Sequence, residues 1–222
     1  MTAVVFDMDG LLLNTEDLYD LVIGRLLNAE GHEFDRETKR AMMGRPAAVA
    51  LTIMRDTYSL KQTVEELADE IESGLFEVLP RHLSLMPGVA ELLDLLDELK
   101  MPYSVATSSR RSFAQVALRQ AEVLDRFQFL ICGGEVEHGK PAPDIYWASA
   151  RQHGLESDRL IVFEDSVAGC QSAVAAGATT VVVPGIHNAG QSYHGYTLQV
   201  EQIDDPRVLA LIHDKKQDSS RT

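Results

Sequence analysis

The sequence predicts an α/β fold, a parallel sheet interrupted near its start by a helical insertion. Two observations carry that expectation. Apolar runs rich in β-branched residues, at Ala3 to Phe6, Tyr103 to Ala106, Phe129 to Cys132, Leu160 to Phe163 and Thr179 to Val183, read as strands buried on both faces. Helix-period segments separate them, and strand–helix alternation is the signature of parallel sheets. The one break in the rhythm lies between the first two strands. A simple βαβ unit needs about 30 residues, so roughly 70 are surplus there.

Taken in order, the first strand ends at Asp7 and the surplus follows. It holds helix-like stretches at Glu16 to Ala29, Asp35 to Met42, Ala47 to Tyr58 and Val64 to Val78, and no convincing strand. Residues 16–85 are therefore expected to form a small helical cap domain. It is entered through Leu13-Asn14-Thr15 and left through Leu85-Met86-Pro87-Gly88, two linkers that suit a hinge and a lid. Residues 1–15 and 86–214 are expected to build the sheet domain. A helix from Val89 to Leu99 starts after Pro87-Gly88 and stops before Pro102, and another from Ser166 to Ala176 closes at Gly177. Tyr146 and Trp147, on the helix expected after Pro143, read as packing residues. The polar tail 215–222 is expected to fray.

Composition narrows the function classes. The 222 residues carry 34 acidic and 20 basic side chains, a formal charge of −14, which argues against nucleic-acid binding. A hydrophobic fraction of 45% with 8 Pro and 15 Gly fits a packed core and not a disordered chain. Cys132 and Cys170 are too few for a disulfide framework, the seven histidines show no metal-ligand spacing and read as surface residues, and nothing resembles a signal peptide or a membrane span. A cytoplasmic protein with no membrane partner is expected, and the absence of an exposed heptad or long apolar stripe suggests a monomer.

The chemistry-bearing residues fall where strands end. Asp7 and Asp9, two apart on an extended chain, leave on the same side, and Gly10 lets the chain turn after them. Acids so close need a cation or a shared proton. Glu164 and Asp165 follow the fourth strand, whose C-terminal end shares an edge with the first, so four carboxylates converge, a donor set suited to Mg²⁺. Thr107, Ser108 and Ser109, before Arg110 and Arg111 and a helix start, offer hydroxyls and amides to an anion. Lys140, in a loop stiffened by Pro141 and Pro143, supplies the cation that a phosphate needs. Each piece alone has an ordinary alternative: an Asp-Gly turn, a helix N-cap, solvated arginines, a surface lysine.

Asp-x-Asp-Gly, Thr-Ser, Lys-Pro and Glu-Asp in this order resemble the haloacid dehalogenase superfamily over almost the whole chain. The insertion looks like the cap of its β-phosphoglucomutase-like subgroup, and Phe6 to Leu13, Met43-Gly44, Leu85 to Gly88 and Ala106 to Ser109 look closest to that subgroup's phosphatases. The resemblance implies a Rossmann-like sheet core and a two-step phosphoryl transfer. It implies Asp7 as nucleophile, Asp9 as acid and base, and Lys140 with Thr107 and the Ser108 amide gripping phosphoryl oxygens. The same resemblance implies Mg²⁺ held by Asp7, the Asp9 carbonyl and Asp165, with Glu164 near or within the shell, and Gly44 and Arg45 of the cap are the candidates for touching the leaving group. The implied substrate is a small phosphorylated metabolite, a sugar or nucleoside monophosphate.

Three departures from the subgroup matter. Asn14 stands where an Asp is frequent and bears on the hinge. Ala47 and Tyr19 stand where phosphohexose mutases of the subgroup carry Arg and His. The last two favour hydrolysis over the mutase alternative. Dehalogenation has no need of Asp9 or a metal cluster, and a non-catalytic scaffold is disfavoured because every catalytic position is filled.

Overall fold

The computed structural model describes the whole chain except Gly44, Pro46, Ala189 and residues 220–222, with the backbone alone of 218 and 219. Along the chain run β1 (Ala3–Phe6), α1 (Thr15–Ala29), α2 (Arg36–Met42), α3 (Ala47–Tyr58), α4 (Val64–His82), α5 (Val89–Glu98), β2 (Tyr103–Ala106), α6 (Arg111–Gln120), β3 (Leu130–Ile131), α7 (Asp144–His153), β4 (Leu160–Glu164), α8 (Val167–Ala175), β5 (Thr179–Val182), β6 (Leu198–Gln199) and α9 (Pro206–Ser219). Two compact units divide them. Met1–Asn14 with Ser84–Thr222 forms one, and Thr15–Leu83, which holds α1 to α4, forms the other.

In the sheet unit the strands lie in the order β3-β2-β1-β4-β5-β6, and every pairing is parallel. The residues of β1, β2, β4 and β5 are buried throughout, which is why the sequence shows unbroken apolar runs and not alternation. Side-chain parity splits them between two layers. Ala3, Val5, Ala106, Leu160 and Val162 pack with Ile145, Tyr146 and Ala150 of α7 and with Ala173 of α8. On the other face Phe6 stacks on Phe163 at 5.1 Å and meets Tyr103 and Phe127 edge-on, both at 6.3 Å.

In the helical unit Asp35 caps α2, accepting from the Thr38 amide at 2.8 Å and from the Tyr58 hydroxyl of α3 at 2.6 Å. Thr63 and Glu66 form a reciprocal cap on α4. That helix runs to His82 with Pro80 inside it, four residues beyond the expected end at Val78.

Three other expectations are corrected. Of the tail expected to fray, 215–219 belongs to α9, where the Lys216 ammonium donates to the Leu99 carbonyl that ends α5, at 2.6 Å, and 220–222 lie outside the described residues. Trp147 is half exposed: α7 turns Ile145, Tyr146, Ser149 and Ala150 inward, and Trp147 falls on the opposite side of the helix. His153 is no surface residue. Its ring lies against Phe129 at 4.5 Å and Nε2 meets the Ser104 hydroxyl at 2.9 Å, while burial pulls its pKa down to about 4. β6 and α9 were not anticipated, and β3 is two residues long where four were expected.

Candidate active site

Side-chain parity builds this site. Asp7 follows Ala3 and Val5, and its amide still donates to the Phe163 carbonyl at 3.0 Å, so it continues the face that packs on α7 and α8. Glu164 follows Leu160 and Val162 on that same face. The register that sets Phe6 opposite Phe163 therefore brings Asp7 and Glu164 side by side where the core ends.

Lys140 closes the pair. Its ammonium donates to Asp7 Oδ1 at 2.5 Å, to Glu164 Oε1 at 2.6 Å and to the Ala106 carbonyl at 2.9 Å, using all three of its protons. Its side chain is 5% exposed, Asp7's 9% and Glu164's 0%, so these charges meet with little water to screen them. Burial pulls the Lys140 pKa down, but the Asp7 and Glu164 carboxylates outweigh it and hold the ammonium protonated. Burial pushes the Asp7 carboxyl up, against the pull of Lys140. A second cation beside Asp7 acts in the same direction as Lys140, toward the ionised form.

Asp7, Glu164 and Asp165 are all buried, and one carboxylate oxygen from each lies within 4.8 Å of the others. Three hard oxygen donors around a small space fit Mg²⁺. Asp165 is oriented from outside the expected motifs: Asn188 Nδ2 donates to its Oδ2 at 2.7 Å, and the Tyr193 hydroxyl donates to its backbone carbonyl at 2.6 Å. Glu164 lies flat over the first turn of α8. A Cβ at Gly169 would stand 1.9 Å from the Glu164 carboxyl carbon, so only glycine leaves room for that carboxylate. The N-cap of α8 is Ser166, whose hydroxyl accepts from the Gly169 amide, and not either acid before it.

Asp9 is held apart from that cluster. Beyond it Gly10 takes a φ of +77°, and the chain turns back so that the Gly10 amide reaches the Leu13 carbonyl. The Thr107 and Ser109 hydroxyls both donate to Asp9 Oδ2, each at 2.8 Å. Thr107, expected on a phosphoryl oxygen, thus directs its hydroxyl to Asp9 here, whereas Ser108 is exposed beside it. Arg111 takes no part in an anion cradle. Its guanidinium binds Glu135 and the Leu130 carbonyl. Among the cap expectations, Gly44 lies outside the described residues and Arg45 is exposed in the turn after α2. Asn14 pairs the two linkers: its Oδ1 accepts from the Ser84 amide at 2.8 Å.

Tyr146, Asn188 and Tyr193 were missed as site residues, and Ser109, expected to face an anion, gives its hydroxyl to Asp9. For Asn188 a signal existed, since the polar segment after β5 leaves the same sheet edge as β1 and β4. For Tyr146 the only signal was a hydroxyl on a helix face that must be buried.

Residues 4–183 match the family described as Haloacid dehalogenase-like hydrolase. The chain belongs to that family. A probable pseudouridine-5′-phosphatase of Drosophila melanogaster is 37% identical over 83% of this chain and 82% of its own length. A phosphorylated carbohydrates phosphatase of Thermotoga maritima is 30% identical over 80% and 82%. Among solved structures, a putative β-phosphoglucomutase from Thermotoga maritima superposes with a TM-score of 0.78 at 27% identity, covering 96% of this chain and 99% of that one.

Proposed function

We propose that the protein is a Mg²⁺-dependent phosphatase that hydrolyses a small phosphorylated metabolite, a sugar or nucleoside monophosphate, through a phosphoryl group carried on Asp7. One observation carries the reading: a buried carboxylate, Asp7, shares a lysine with a second carboxylate and borders a third, while another acid two residues on is tied to hydroxyls. The names of the relatives support the substrate class.

In the first step an Asp7 oxygen bonds to phosphorus, the bond from phosphorus to the leaving oxygen breaks, and Asp9 gives that oxygen its proton. In the second, Asp9 takes a proton from water as the water oxygen bonds to phosphorus, the bond from phosphorus to the Asp7 oxygen breaks, and inorganic phosphate leaves the restored Asp7 carboxylate. The Thr107 and Ser109 hydroxyls fix the Asp9 carboxylate for both transfers. Lys140 and the Ser108 amide take phosphoryl oxygens as charge spreads over them. Asp7, Glu164 and Asp165, with the Asp9 carbonyl, would hold Mg²⁺, which when bound neutralises phosphoryl charge.

The test is hydrolysis of p-nitrophenyl phosphate by the purified protein with Mg²⁺ and with EDTA, beside Asp7→Asn, followed by a panel of sugar and nucleoside monophosphates. The expected result is release that EDTA stops, that falls to background in the variant, and that favours one panel member. Release that is unchanged in Asp7→Asn, or absent across the whole panel, would overturn the reading.

A further inference from the structure

We propose that Tyr146 is a positioning residue for the cation site, its hydroxyl fixing Glu164 so that one carboxylate oxygen stays turned toward Asp7 and Asp165. The proposal rests on the phosphatase reading and adds a residue to it.

The Tyr146 hydroxyl donates to Glu164 Oε1, the oxygen that also accepts from Lys140. Oε2 meets only the Ser166 hydroxyl among the described residues, at 3.2 Å. The carboxylate, one of whose oxygens lies within 4.8 Å of an oxygen from each of Asp7 and Asp165, thus has its partners on Oε1 fixed and keeps lone-pair capacity for a cation. Gly169 lies against the carboxylate and limits how far it can swing. Tyr146 itself is fully buried, its ring locked in the core layer with Ile145 and Ala150, so the hydroxyl is delivered from a rigid support. Burial pushes its pKa up, which keeps it a neutral donor.

Lys140 cannot do this alone. It divides its three protons among Asp7, Glu164 and the Ala106 carbonyl, and its ammonium is the group that an incoming phosphoryl recruits. When Lys140 turns toward substrate, Tyr146 is the donor left on Oε1. A phenylalanine would fill the same space and leave Glu164 free to rotate. Partners of metal-ligating carboxylates typically govern about 10- to 100-fold in metal affinity.

The experiment is a Mg²⁺ titration of thermal stability, in wild type, Tyr146→Phe, Glu164→Gln and the double variant, with Mg²⁺ activation of hydrolysis measured in parallel. Tyr146→Phe is expected to melt within a few degrees of wild type in EDTA. It should need about tenfold more Mg²⁺ for half its stabilisation and for half-maximal rate, and it should add nothing in the Glu164→Gln background. An unchanged Mg²⁺ midpoint in Tyr146→Phe overturns the proposal while leaving the phosphatase reading intact. An equal shift in the Glu164→Gln background also overturns it, because Tyr146 would then act by another route. If Tyr146→Phe melts far below wild type, the double variant decides between these outcomes. A wild type that neither gains stability from Mg²⁺ nor hydrolyses phosphate esters removes the reading and the proposal together.

Discussion

The two aspartates of the first motif leave one strand end two residues apart, yet they sit in different surroundings. Asp7 is buried against an ammonium, and Asp9 is bound by two neutral hydroxyls. That difference is what a nucleophile and a proton shuttle require. Asp9→Asn keeps the shape and removes the proton. The first step, read as kcat/KM, should slow about 10²- to 10⁴-fold on an alkyl phosphate and far less on p-nitrophenyl phosphate, whose leaving group needs no proton; comparing kcat/KM on the two esters checks this. Lys140 makes a structural prediction as well. Lys140→Met leaves Asp7 and Glu164 buried without their cation, and removing one partner of a buried pair costs about 3–5 kcal/mol. Urea unfolding in EDTA should show that loss, and Mg²⁺ should restore part of it.

At the scale of elements, α8 lies with its Gly169 against the Glu164 carboxylate. Gly169→Ala forces a methyl group into the Glu164 carboxylate, and overpacking of this kind costs about 1–3 kcal/mol. Calorimetry should show the lower melting temperature, with a weaker Mg²⁺ response. α7 carries a pH signature through His153. Its pKa is held near 4 in the folded state, below the ordinary value of 6.5, so between those values the unfolded chain binds more protons. Stability is therefore full above about pH 6.5 and declines as the pH falls toward 4. His153→Gln should flatten that decline in urea midpoints measured across the interval.

The sequence made some of these elements legible and hid others, for physical reasons. β1, β2, β4 and β5 announce themselves because burial on both faces demands unbroken apolar runs. β6 spans Leu198–Gln199 at the sheet edge, one residue half-buried and the other exposed, and leaves no such pattern. Asp7, Asp9, Lys140, Glu164 and Asp165 were readable as candidates because they lie at strand ends or in a loop stiffened by proline. Tyr146 was not, since its worth lies in a contact that only the register of β1 on β4 and the packing of α7 create, and Asn188 showed only a polar position beyond β5.

Across the whole molecule, a net charge of −14 surrounds a site that must receive an anion. Lys140 is buried and already paired with two acids, Asp7 and Glu164, so phosphate affinity is expected to rise with bound cation. A ligand that binds only the folded state at 100 times its dissociation constant adds about 2.7 kcal/mol. Saturating Mg²⁺ should accordingly raise the unfolding midpoint, EDTA should reverse the gain, and Asp165→Asn should abolish it, as read by thermal unfolding. No described helix is long and apolar enough to cross a membrane. The central claim is that Asp7 carries the phosphoryl group, and its most direct test is acid-quench mass spectrometry with peptide mapping of Asp9→Asn mixed with p-nitrophenyl phosphate and Mg²⁺. The account predicts a phosphorylated Asp7 that accumulates in this variant, disappears with EDTA and is cleaved by hydroxylamine. Turnover with no modified Asp7, or a phosphoryl group on another residue, would contradict it.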